Sequence, residues 1–138
     1  MKIENPEYKY NSVLLIDDSD LDNFINEKML ESNNFSKSIH VSTNGKVALD
    51  FVTHHISPDG VNKETYPDVM FVDLNMPVMN GFEFIENLKK IDADKLSKCK
   101  IVILTSSIHR EDRLKAEKID KSILFVNKPL TNELLKTL

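Results

Sequence analysis

Five residues able to do chemistry stand at the ends of short apolar runs. Asp17 and Asp18 follow "VLLI", Asp73 follows "VMFV", Thr105 closes "KIVILT" and Lys128 follows "ILFVN". Singly, each has an ordinary structural role: an Asp or Thr after a strand caps the next helix, and a Lys beside a Pro sits in a solvated turn. Gathered at one place, they specify a chemistry. Two carboxylates ~4 Å apart repel by ~4 kcal/mol at an effective dielectric near 20. Three of them with one ammonium leave an excess of negative charge, so either a pKa rises or a cation joins. A hard divalent ion of the Mg²⁺ type, with carboxylate, backbone-carbonyl and water ligands, fits that excess. Beside such an ion a carboxylate can accept a phosphoryl group. Asp73 is then the expected nucleophile, forming an acyl phosphate. Asp17 and Asp18 are the expected metal holders, and Lys128 and Thr105 are expected to take phosphoryl oxygens.

These residues meet only if the chain brings its strand ends to one rim. "SVLLID" (12–17) reads as a buried strand, dense in Val, Leu and Ile. Ser19 then stands as an N-cap, with Asp22 in the acidic first turn of a helix. The helix carries apolar residues at Leu21, Phe24, Ile25, Met29 and Leu30, at helical spacing, and "NN" at 33–34 ends it. "SIHVST" (38–43) is a more polar strand, expected at a sheet edge. "GKVALDFV" (45–52) is helical, and residues 54–67 read as a long loop. "DVMFVD" is the third strand, and "FEFIENLKKI" (82–91) the next helix. "KIVILT" (100–105) is the fourth strand, and "HREDRLKAEKI" (109–119) a charged helix. "SILFVN" (122–127) is the fifth strand, and "TNELLKTL" a final helix capped by Thr131 with Glu133 in its first turn. Strands alternating with helices predict a small doubly wound α/β fold: a parallel sheet covered on both faces, with right-handed crossovers. Ligands in such sheets sit at the carboxyl ends of the strands, where all five residues fall.

The chain's 138 residues suit one domain, expected over 11–138 after an N-terminal extension of 1–10. A formal charge of −4 argues against general affinity for nucleic acid. The single cysteine, Cys99, rules out an internal disulfide and reads as a buried structural residue ahead of "KIVIL". No apolar run approaches the ~20 residues that span a bilayer, and the N-terminus lacks an apolar leader core. A cytoplasmic protein is expected. His54 and His55 lie together in a loop without further ligands and read as solvent-facing.

The segments "LLIDDSD", "FVDLNMPVMNGFEF", "IVILTSS" and "FVNKPL" together resemble the receiver domains of two-component response regulators, over about residues 11–138. "DLNMPVMNG" is the most specific of them. The resemblance implies a flavodoxin-like fold, a five-stranded parallel sheet in the order 2-1-3-4-5. It implies that Asp73 is the phosphoacceptor. Asp18 would bind Mg²⁺ directly, Asp17 mostly through water, and Asn75 through its backbone carbonyl. Thr105 would be the switch hydroxyl, Lys128 the phosphoryl-binding lysine, and Phe125 the switch aromatic. Pro129 would follow a cis peptide bond, and Pro77 and Gly81 would shape the loop after the acceptor. The implied function is a phosphorelay. A sensor histidine kinase or histidine phosphotransfer protein donates a phosphoryl group from phosphohistidine. Thr105 and Phe125 then move, and the face of the fourth helix, fifth strand and fifth helix docks a downstream protein. With one short helix after Lys128, a chemotaxis-type stand-alone receiver without an effector domain is expected, binding neither nucleic acid nor membrane.

Some positions depart from the family pattern. Ser106 replaces the usual Ala or Gly, Phe125 lacks a tyrosine hydroxyl, "KIDKS" replaces a Gly-containing turn, and the 54–67 loop is long. Two other readings compete. A haloacid-dehalogenase-type phosphatase would use Asp18-Ser19-Asp20 with Thr105 and Lys128. The short chain, the lack of an acid pair after Lys128 and the unexplained Asp73 loop argue against it. A receiver-like binding module that never takes phosphate would have lost an acid or the lysine, and none is lost here.

Overall fold

The computed structural model describes residues 7–57, 60–61, 66–91 and 99–138. Strands that must be covered on both faces need apolar side chains at consecutive positions, and the segments that meet that demand include the two at the middle of the sheet. β1 (Tyr10–Ile16) buries Ser12 to Ile16, and β5 (Val69–Val72) is buried throughout. They pair in parallel at the middle of the sheet, Val13 opposite Val69 and Ile16 opposite Val72. On one flank β1 pairs with β2 (Ser36–Ser42). On the other, β5 pairs with β6 (Lys100–Thr105), and β6 with β7 (Leu124–Asn127). The sheet order is therefore β2-β1-β5-β6-β7. Counting only these five strands in sequence, it is the expected 2-1-3-4-5, and the fold is flavodoxin-like.

Alternate strand residues serve two cores, as the period of two requires. Leu14, Ile16, Met70, Val72, Ile101 and Ile103 pack on one face. They meet α2 (Gly45–His54) through Ala48 and Val52, α3 (Gly81–Ile91) through Phe84, Ile85 and Leu88, and α4 (Arg110–Ile119) through Ala116. Val13, Leu15, Val69, Phe71, Val102 and Leu104 pack on the other. There they meet α1 (Asp20–Ser32) through Leu30 and α5 (Asn132–Thr137) through Leu135. Ser19 caps α1 by accepting the Asp22 N–H, and Thr131 caps α5 by accepting the Leu134 N–H. Cys99 is buried, and burial first, then the nearby Asp68, pushes its thiol up to about 12. No helix among the described residues is long and apolar enough to cross a membrane.

Four features differ from the sequence expectation or complete it. The apolar residues of α1 do not all face the core: Leu21, Phe24 and Ile25 are 67%, 58% and 42% exposed, whereas Asn23, Asn26 and Leu30 are buried. The physical reason lies at the site below: the buried Asn23 amide donates to the Asp17 carbonyl at 2.8 Å, which turns the polar side of the helix inward. The 54–67 segment is not all loop, since β3 (Ile56–Ser57) and β4 (Gly60–Val61) form an antiparallel hairpin. His54, which ends α2, is exposed. His55 is half-buried, 4.6 Å edge-on from the Phe51 ring. The turn before β7 works without glycine. The Asp120 carboxylate accepts from both the N–H and the hydroxyl of Ser122, at 2.9 and 2.8 Å, and so folds "KIDKS" back on itself.

Candidate functional site

The register of β1 and β5 places Asp17 and Asp73 side by side, one residue beyond the paired Ile16 and Val72. The Asp73 N–H donates to the Ile16 carbonyl at 2.9 Å, and the Asp17 N–H to the Ser42 carbonyl at 3.1 Å, so both acids leave the sheet on fixed backbones. Their side chains point into the fold rather than away from it: Asp17 is 4% and Asp73 6% exposed, while Asp18 is exposed. Asp17 Oδ1 accepts the Ser19 N–H at 2.9 Å. The loop after Asp73 returns tightly. A Cβ on Gly81 would lie 2.4 Å from the Asp73 carbonyl oxygen, so only glycine fits there. Asn80 and Glu83 then start α3 with reciprocal side-chain-to-backbone bonds at 2.9 and 3.2 Å. Within the loop between Asp73 and Gly81, Val78 sits at φ 69° beneath a Met79 N–H to Pro77 carbonyl bond of 2.8 Å, a γ-turn of the rare kind with positive φ.

One carboxylate oxygen from each of Asp17, Asp18 and Asp73 lies within 4.8 Å of the others. Lys128 enters from the end of β7, its N–H held by the Thr105 carbonyl at 2.8 Å and its bond to Pro129 cis, as the resemblance implied. Its ammonium donates to Asp17 Oδ2 at 2.6 Å and to Asp22 Oδ2 at 2.9 Å, and stands 3.7 Å from Asp73 Oδ1. Three carboxylates thus face one ammonium, and Asp18 adds a fourth negative charge beside Asp17 and Asp73. The crowding shows in the Asp73 carboxyl, which is raised to about 6 by burial first and by Asp17 second. Lys128 and a hydrogen bond from the Asn75 N–H oppose the rise, and Asp18 adds to it. Burial alone would lower the Lys128 ammonium; its hydrogen bonds to Asp17 and Asp22 outweigh that, and it is raised. The donor set is all hard oxygen, with neither thiolate nor imidazole, and it carries surplus negative charge. That is the chemistry a Mg²⁺-class ion fits.

The other expected residues stand nearby without joining the acids. Thr105 is wholly buried, and its Oγ1 accepts the Ser107 N–H at 3.1 Å. Phe125 is half-buried on β7, with the Arg113 guanidinium 4.8 Å above its ring. Asn75 has an exposed side chain, and its backbone N–H faces the Asp73 carboxylate. Asp20, the second acid of the phosphatase reading, is an exposed first-turn residue of α1. Two site residues escaped the sequence reading. Asp22 counted only as a first-turn acid, yet it is the second anchor of Lys128. No motif in the sequence marks Asn23, yet its amide holds the Asp17 backbone while its own Oδ1 is buried without a partner among the described residues. The only signal for either was proximity in sequence to Asp17 and Asp18.

Comparison with known proteins agrees with this geometry. The chain matches the response regulator receiver domain family over residues 13–138. It is similar to a two component response regulator from Cytophaga hutchinsonii: TM-score 0.82, 31% identity, covering 94% of this chain and 93% of that one. The fold is also that of the receiver domain of an Arabidopsis thaliana histidine kinase complexed with Mg²⁺: TM-score 0.78, 22% identity, covering 92% and 88%. A sensor histidine kinase of Helicobacter pylori is 28% identical over 125 residues, covering 91% of this chain and 14% of that protein. The chain spans between 14% and 44% of the length of the first three curated relatives it matches. The match over residues 13–138 and the shared fold show that the chain belongs to the response regulator receiver domain family of two-component signalling.

Proposed function

We propose that Asp73 is the phosphoacceptor of this receiver domain. The observation that carries the reading is the pair Asp17 and Asp73, brought side by side by strand register with the Lys128 ammonium bridging toward both. Asp17, Asp18, Asp73 and the Asn75 carbonyl would hold Mg²⁺, which when bound shields the negative charge of donor and acceptor as they approach. An Asp73 carboxylate oxygen attacks phosphorus, and the P–N bond of the donor's phosphohistidine breaks with its electron pair returning to the imidazole. Burial of Asp73 keeps bulk water from the acyl phosphate. The Lys128 ammonium closes the remaining gap to a phosphoryl oxygen. The Thr105 hydroxyl leaves the Ser107 N–H for another, and Phe125 follows into the space vacated.

The donor is a histidine kinase or histidine phosphotransfer protein. It would dock over the rim, where Leu21, Val78 and Ile108 expose apolar side chains around the acids. A downstream protein would read the groove of about 310 Å³ between α4, β7 and α5, lined by Arg113, Ala116, Phe125, Val126 and Leu134. Because Phe125 and Arg113 line it, this groove changes shape when Phe125 moves. Residues 11–138 act as one receiver unit in the cytoplasm, and the chemistry at Asp73 is its own phosphorylation and dephosphorylation, not turnover of a substrate. Incubation with radiolabelled acetyl phosphate and Mg²⁺ tests the assignment. The protein should take up label, Asp73→Asn should take up none, and label retained by Asp73→Asn refutes it.

A further inference from the structure

We propose that Asp22 is a positioning residue that holds the Lys128 ammonium away from Asp73 until a phosphoryl group outcompetes it. The inference rests on the phosphoacceptor reading of Asp73 and goes beyond it. The ammonium has three protons. One goes to Asp17 Oδ2 at 2.6 Å and one to Asp22 Oδ2 at 2.9 Å, while Asp73 Oδ1, at 3.7 Å, is outside hydrogen-bond range. Asp22 is well placed for this. It stands in the first turn of α1, its N–H held at 3.2 Å by the capping Ser19 hydroxyl, on a helix whose Asn23 grips the Asp17 backbone. The geometry between Asp22 and Lys128 is therefore set by the same cap that sets Asp17.

The consequence is a competition. A phosphoryl group on Asp73 brings nearly two negative charges and three acceptor oxygens. The two bonds fix the seat of the ammonium, and a phosphoryl oxygen that draws its third proton toward Asp73 pulls it from one of them. Asp17 is buried and close. Asp22 is 37% exposed and can be rehydrated when released, so it is the partner surrendered. Moving the ammonium toward Asp73 therefore works against the Asp22 bond. Asp22 thus disfavours the phosphorylated state relative to a receiver without this carboxylate. The neutral Asp22→Asn removes the charge that makes the competing bond strong.

Beryllofluoride, a phosphoryl mimic that binds the acceptor carboxylate, tests this at saturating Mg²⁺ with ¹⁹F NMR as the binding readout. Asp22→Asn should tighten beryllofluoride binding about fivefold, and Asp22→Glu should restore the wild-type affinity within twofold. In a Lys128→Ala background the Asp22→Asn change should fall below twofold. Unchanged or weakened binding in Asp22→Asn overturns the inference, as does a fivefold gain that persists without Lys128. A metal-free measurement reads the same contact independently, including where Lys128→Ala binds no mimic. Proton exchange of the Lys128 ammonium, followed by ¹⁵N NMR, should quicken in Asp22→Asn, and unchanged exchange overturns the inference. Failure of the wild-type protein to bind the mimic at all defeats the phosphoacceptor reading as well. Wild-type binding that Asp73→Asn abolishes, with no Asp22 effect, defeats only this inference.

Discussion

Replacing Asp73 by Asn should make the metal-free protein more stable at neutral pH, although it removes the proposed phosphoacceptor. The carboxyl sits at about 6 in the fold against an ordinary 3.8, so its ionised form is disfavoured there. The sign follows from linkage. A carboxyl raised on folding costs nothing below its unfolded value, where both states hold the proton. The cost grows as pH rises from about 4 to about 6 and is complete above that. At ~1.4 kcal/mol per pKa unit the full cost is at most about 3 kcal/mol at pH 7. An amide keeps the shape and never ionises, so Asp73→Asn should recover about 2 kcal/mol at pH 7, or roughly 6 °C in Tm for a domain of this size. At pH 4 the gap should shrink to well under ~1 kcal/mol. Thermal unfolding with a chelator, at the two pH values, measures this. Saturating Mg²⁺ should raise the Tm of the wild-type protein more than that of Asp73→Asn, because the ion binds the folded acids and the variant keeps only Asp17 and Asp18 of the three. An Asn variant no more stable than wild type at pH 7, or equally stabilised at both pH values, refutes the electrostatic account of the site.

Three further outcomes follow from local geometry. Gly81→Ala should destabilise by ~2 kcal/mol or more in chemical denaturation and impair phosphorylation, because its Cβ would lie 2.4 Å from the Asp73 carbonyl oxygen, which cannot move without shifting Asp73. Val78→Asn should stabilise by ~1 kcal/mol, since Val78 is 87% exposed yet a β-branched residue at φ 69°, a conformation that Asn tolerates. Cys99 should react with thiol reagents only at the rate of unfolding, because burial places its thiol at about 12.

What the sequence disclosed depended on whether a residue's role was local. Val13 to Ile16 and Val69 to Val72 are apolar at every position because both faces of a central strand are covered, and the acids that end those runs were conspicuous for that reason. The caps at Ser19 and Thr131 involve bonds three residues long and were readable. The orientation of α1 was not. Leu21, Phe24 and Ile25 make an apolar stripe, and periodicity does not distinguish a stripe against the core from one offered to a partner. Here Asn23 decided it by hydrogen bonding inward. The role of Asp22 was equally hidden, because its partner lies 106 residues away and only tertiary structure joins them. The β3–β4 hairpin has strands of two residues each, too short to carry an alternation. The Asp120–Ser122 turn replaced an expected glycine by side-chain hydrogen bonds, a substitution that the fold accepts because both supply the same reversal.

Chemical trapping identifies the side chain that carries the phosphoryl group. An acyl phosphate reduced with borohydride leaves homoserine in place of the aspartate, and tandem mass spectrometry locates it. After phosphorylation with acetyl phosphate and Mg²⁺, homoserine should be found at position 73. Homoserine at 17 or 18, or an acid-stable phosphoester on Ser106 or Ser107 instead, would overturn the assignment of Asp73.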